Sequence, residues 1–285
     1  MDEFSTEPIS GDTARVKLLE DVAILTPKVD VPVQRARLQN NIKQLKLLRE
    51  LTSGLPGLKV PKVLEEDPRR CAYKIERALG LNLSEHIADR QGDIRAFLAI
   101  PLESKIDSVI AYLRMVGRVN AVGLSFNDHK VDSVFIEPSG DLTVVDAGGM
   151  VKTDNPWSLD SSKKNGLYEI VAALFNRSAG ESILGVEPFT LIPAGVECVL
   201  NNLNFTNSAD DAAEVITSWR DGTLDLSTRF PYNMIPSLKA EKELKITDYQ
   251  RDMDDARRNL QGALRGDRMQ NYFQYLDRRR QSFVK

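Results

Sequence analysis

Three side chains in one short stretch have the types and spacing for phosphate chemistry: Asp128, Lys130 and Asp146. They lie in Ser125–Gly149, which reads as a polar loop, a short strand, a tight turn, a second strand and a second polar loop. Val134-Phe135-Ile136 is apolar without a helical period, and Pro138-Ser139-Gly140-Asp141 is turn chemistry. Leu142-Thr143-Val144-Val145 is β-branched and alternating enough for a strand. A hairpin sets its two flanking loops side by side, so Asp128, before the first strand, and Asp146, closing the second, are expected to converge. Two converging carboxylates, one beside a lysine and one before Gly-Gly, suit metal-assisted phosphoryl transfer. One anion orients the attacking hydroxyl, the other holds Mg²⁺ on the nucleotide phosphates, and the cation offsets developing charge. The plain alternative is a hairpin with solvated acids at its ends.

The elements that must position these groups can be read from periodicity. Ile9 onward reads as a small β unit, with strands at Arg15–Leu19 and Val22–Leu25. Pro32–Leu51 carries Leu38, Ile42, Leu45 and Leu47 or Leu48 at helical spacing, with Pro32 near the start and Gly54 beyond the end. Leu58–Leu64 and Cys71–Ile75 are further strands around a charged turn at 65–70. Gly92–Glu103 reads as connecting structure. Lys105–Val119 has a helical stripe of Ile106, Val109, Ile110, Leu113 and Val116 or Gly117. Ser162–Phe175 and Ala209–Trp219 read as helices, the latter capped by Ser208 or Asp210. Residues 239–285 are strongly charged with helical spacing, ending in an aromatic stripe beside Arg278-Arg279-Arg280.

Asp128-His129-Lys130-Val131-Asp132-Ser133 resembles the Asp-x-Lys-x-x-Asn catalytic loop of the protein-kinase-like superfamily, and Asp146-Ala147-Gly148 resembles its Asp-Phe-Gly. The resemblance covers roughly residues 9–176, and the compactness of the segment after Asp146 resembles atypical kinases such as those of bacterial effector type. It implies an α+β, two-lobed kinase-like fold: a polar leader over 1–10, a β-rich N-lobe with one helix over 11–79, and a mainly helical C-lobe over 80–285 with divergent C-terminal helices. It implies ATP and Mg as cofactors. Asp128 would then orient the substrate hydroxyl, Lys130 would stabilise the γ-phosphate, and Asp146 would chelate Mg²⁺. Ser133 stands where an asparagine usually holds the second metal.

Other positions depart from the family pattern. Gly11 is alone where a glycine-rich loop belongs. Val22-Ala23-Ile24-Leu25 resembles Val-Ala-Ile-Lys, with leucine in place of the phosphate-binding lysine. Lys28, three residues on, could substitute if a bulge re-aims it. Asn41 occupies the best-fitting position for the helix glutamate. Tyr73–Ile87 resembles the hinge. There Ile75 would guard the adenine pocket and the backbone of Glu76 and Ala78 would meet the adenine edge, before a helix capped by Asn82 or Ser84. Phe126-Asn127 replaces His-Arg. Met150–Ser161 is a short activation segment with no Ala-Pro-Glu, though Thr153, Ser158, Ser161 and Ser162 could accept phosphate.

The chain has 285 residues, is 42% hydrophobic and 28% charged, and carries a net charge of −3. That balance argues against a dedicated nucleic-acid binder. No apolar run is long enough for a membrane span, and the acidic N-terminus lacks a secretory pattern. Cys71, Cys198, His86 and His129 are too few and scattered for a disulfide framework or a zinc site. A reducing, cytoplasmic place of action is expected, in the cell of origin or after delivery into a host cell. The leading expectation is a kinase that passes the γ-phosphate of ATP to a protein hydroxyl, its partner being a protein substrate or binding partner. The alternatives are a pseudokinase that binds nucleotide or protein without transfer, and a small-molecule kinase.

Overall fold

Short β-branched runs broken by turn residues dominate the first part of the chain, and long 3.6-period stripes dominate the rest. The resulting architecture is α+β. The structure, a computed structural model, describes residues 9–10, 14–83, 100–127, 129–157, 161–175, 196, 199–200, 203 and 206–223. In chain order the elements are β1 (Ile9–Ser10), β2 (Ala14–Leu18), β3 (Val22–Pro27), α1 (Pro32–Leu51), β4 (Leu58–Lys59), β5 (Val63–Asp67), β6 (Ala72–Glu76) and β7 (Leu81–Asn82). There follow α2 (Leu102–Ala121), β8 (Leu124–Phe126), β9 (Val134–Ile136), β10 (Leu142–Val144), β11 (Met150–Lys152), α3 (Ser161–Leu174) and α4 (Ala209–Arg220). No described helix is long and apolar enough to cross a membrane.

Three sheets form. One is antiparallel in the order β1-β2-β3-β6-β5, a second runs β4-β10-β9-β7, and β8 pairs with β11. Helix α1 turns Leu38, Ile42, Leu45 and Leu48 inward. Leu47 is left at the surface, so the stripe passes through Leu48. Helix α2 is buried on nearly every side, including Ile106, Tyr112, Leu113 and Met115, because α1, α3, α4 and strands of the second sheet all pack around it. A narrow charged stripe of Glu103, Asp107, Arg114 and Arg118 stays exposed, while the wide apolar remainder lies in the core. Ser208 caps α4 by accepting the Asp211 N–H at 3.0 Å.

Several boundaries differ from the periodicity reading. Leu58–Leu64 is not one strand: Pro61, which has no N–H to give a ladder, interrupts it. Its two halves join different sheets, β4 parallel to β10 and β5 antiparallel to β6. The charged run at 65–67 continues β5, and the reversal comes later. There Asp67 Oδ1 accepts the Arg69 and Arg70 N–H groups, each at 3.1 Å. Helix α2 starts at Leu102, right after Pro101, rather than at Lys105. The helix that Asn82 was expected to cap lies outside the described residues; Asn82 itself lies in a strand, and Leu83 N–H bonds Val134 O at 2.9 Å. Gly80 makes this possible, since its φ is +92° and a Cβ there would collide with the Ile136 carbonyl. Of the expected leader over 1–10, Ile9–Ser10 form β1 and residues 1–8 lie outside the described residues, as do the expected cap at Ser84 and the helices over 239–285.

Candidate active site

The register of the β9–β10 hairpin determines which loops meet. Val134 pairs with Val144 and Ile136 with Leu142, and the reversal closes with Gly140 N–H on Glu137 O at 2.8 Å. Beyond the open end, Val145 N–H donates to Ser133 O at 2.9 Å. Ser125–Phe126, read above as part of a polar loop, and Met150–Lys152, at the start of the expected activation segment, instead belong to β8 and β11. Phe126 pairs with Met150, and Asn127 N–H reaches Gly149 O at 3.3 Å. Segment 127–133 is thereby clasped to segment 145–149 at both ends. Asp128 lies outside the described residues, as does Gly11.

Within the clasp, Lys130 is exposed and precedes a 3₁₀ turn over Val131–Ser133. Ser133 is buried, and its hydroxyl donates to Asp132 Oδ1 at 3.2 Å. Asp146 is half-buried and its Oδ1 accepts the Gly148 N–H at 2.7 Å. A carboxylate has about four acceptor positions and is a hard oxygen ligand of the kind magnesium takes. Among the described residues no cluster of three His, Cys, Asp or Glu side chains forms. A carboxylate shared with substrate phosphates is the usual way magnesium is held, without an all-protein cage.

Side chains from distant parts of the chain brace these loops. Asn82 Nδ2 donates to Asp132 O at 2.7 Å. Tyr112 on α2 is bonded to His129 Nδ1 at 3.0 Å. From the other side, α1 approaches the Asp146 loop. Gln44 Nε2 donates to Met150 O at 3.0 Å. A Cβ on Gly148 would lie 2.9 Å from Asp146 Oδ1 and 3.3 Å from Asn41 Oδ1, so Asn41 and Asp146 flank the same glycine. The sequence reading missed Gln44 and Tyr112, and it singled out Asn82 for a different role, as a helix cap. Their partners are 106, 17 and 50 residues away, and no local spacing encodes such contacts.

The remaining candidates lie as follows. Leu25 is half-buried in β3, opposite Val16 and Tyr73. β3 pairs with β2 without a break in register through Pro27, and Lys28 follows it, exposed in a bend; the irregularity in this sheet falls at Val63–Glu65. Ile75 is buried opposite Ala23. The Glu76 N–H is taken by Lys62 O at 2.9 Å, while its carboxylate accepts the Lys62 N–H at 2.8 Å and lies 3.3 Å from Arg49. Ala78 is half-buried in the connection to β7.

A cleft of about 540 Å³ opens elsewhere, at the turn end of the hairpin, between the C-terminal end of α1, β4, residues 76–79 and Glu137. Two of its cations are in ion pairs: Lys59 Nζ sits 2.8 Å from Glu137 and 3.3 Å from Asp141, and Arg49 lies 3.3 Å from Glu76. The Glu137 carboxylate raises the Lys59 ammonium above its ordinary pKa. The clasped loops lie at the opposite end of the hairpin, with Lys130, Ser133 and Asp146. No protein-family model matches the chain, and no curated protein matches it.

Proposed function

We propose that this chain is an ATP-dependent phosphotransferase of two-lobed, protein-kinase-like design, acting on a protein hydroxyl. The observation that supports this reading is the double clasp. Val145 N–H on Ser133 O and Asn127 N–H on Gly149 O bring the loop with Lys130 and Ser133 beside the loop with Asp146. Asp128 would orient the attacking hydroxyl and accept its proton, and Lys130 would stay near the transferred phosphate to stabilise its charge. Asp146, with Ser133 beside it, would hold magnesium, which when bound supplies positive charge against the phosphates. Positioning and fixed charge are most of what this chemistry asks of a protein.

A second reading is favoured by one specific feature. Leu25 and Asn41 stand where a lysine and a glutamate would otherwise face each other, so the β3–α1 side has lost a cation and an anion together. A nucleotide- or protein-binding pseudokinase would tolerate that loss. The two readings separate on incubation with Mg²⁺ and γ-labelled ATP, beside Asp128→Ala and Asp146→Ala. Label transfer to a protein, lost in both variants, supports the phosphotransferase. Nucleotide-dependent thermal stabilisation without transfer would establish the pseudokinase instead.

A further inference from the structure

We propose that His129 is a positioning residue of this site, pinning the peptide that carries Asp128 and Lys130 to helices α2 and α3. The catalytic consequence rests on the phosphotransferase reading; the pinning does not. His129 stands between two residues assigned to chemistry, yet it is only 7% exposed while Lys130 is at the surface. Three elements grip it. Tyr112 of α2, itself 1% exposed, is bonded to Nδ1 at 3.0 Å. Phe126 of β8 meets the ring edge-on with centroids 5.2 Å apart. Gly166 of α3 lies against the backbone, where a Cβ would be 2.9 Å from both the His129 Cβ and its carbonyl oxygen.

A hydrophobic side chain would fill this place without the cost of burying a polar ring. What the imidazole adds is direction. A neutral ring that accepts the Tyr112 hydroxyl proton at Nδ1 carries its own proton on Nε2, and that bond sets the rotation of the ring and its backbone. Neighbouring Cα atoms are about 3.8 Å apart, so holding His129 limits the drift of Asp128 and Lys130. A misplacement of about 1 Å can cost a reaction on the order of 10²-fold.

The test compares wild type with Tyr112→Phe, His129→Leu and His129→Asn. Phenylalanine removes one oxygen from α2, leucine keeps bulk without an acceptor, and asparagine returns an acceptor near the Nδ1 position. Amide hydrogen exchange is followed at residues 130–133, and transfer is followed at varied MgATP. The expected result is exchange faster by about tenfold and kcat lower by about tenfold in Tyr112→Phe and His129→Leu, with KM for ATP within about twofold. His129→Asn should restore most of both. Unchanged exchange in Tyr112→Phe overturns the pinning. Faster exchange at undiminished kcat, a loss confined to KM, or His129→Asn behaving like His129→Leu overturns the positioning role. A wild-type protein that transfers nothing overturns the phosphotransferase reading and the catalytic consequence with it, while the exchange data still decide the pinning.

Discussion

The loops at 127–133 and 145–149 are held by backbone ladders and by buried side chains from β7 and α2, while on the other side α1 brings two amides to them, Gln44 donating to Met150 O and Asn41 lying beside Gly148. The charge that would serve phosphate chemistry is distributed in the same uneven way. Lys130 and Asp146 belong to the braced loops. Across from them, Leu25 and Asn41 are neutral, and cations of that sheet and helix pair locally, Lys74 with Glu65 and Lys46 with Glu66. Removing a lysine and its partner acid together leaves no stranded charge, which is how a fold can lose the pair without losing stability. The phosphates would then depend on Lys130 and magnesium for their counter-charge.

The largest consequence of that asymmetry falls on Lys130. Lys130→Met should lower kcat by about 10²-fold or more, since among the described residues of these two loops it is the one lysine. Steady-state transfer assays would show it, and a loss below fivefold would mean that another cation serves the phosphates. Rebuilding the neutral side sharpens the comparison. Leu25→Lys alone should destabilise by about 1–3 kcal/mol, because it places an ammonium at a half-buried site. Adding Asn41→Glu should recover about 1 kcal/mol of that and lower KM for ATP. Urea titrations of the full double-mutant cycle read the coupling, and additive effects would place Leu25 and Asn41 out of reach of one another.

Smaller effects are expected where a single bond joins the two sides. Gln44→Leu removes the bond to Met150 O and should cost about 1 kcal/mol in chemical denaturation. No change at all would mean that α1 packs without that tether. The weakest prediction concerns the turn end of the hairpin. Lys59 is 52% exposed on its side chain, so Lys59→Met should cost less than about 1 kcal/mol. Because Glu137 raises the Lys59 pKa, this contribution is present below the unfolded lysine pKa of about 10.4 and is lost as pH climbs through the folded value. Melting curves at neutral pH and near pH 11, for wild type and variant, should converge at the higher pH.

The extent of α1 was legible because Leu38, Ile42, Leu45 and Leu48 repeat at the helical period and Pro32 opens the run. The β9–β10 hairpin was legible from its turn residues, and the α4 cap from Ser208. These features are local: the spacing of a few residues already determines which face is buried and where the chain must reverse. The β8–β11 pair was not legible, because three-residue strands carry too little pattern to distinguish them from loop, and their pairing joins residues far apart in the chain. Nor did any spacing mark His129 as buried. Its place is decided by Tyr112, Phe126 and Gly166, which only the packing of α2, β8 and α3 brings together. The sequence alone therefore determined which residues have the chemistry for a transfer site. Tertiary structure decided how two of its loops are held together, because their bracing bonds join residues that come into contact only once the core has formed.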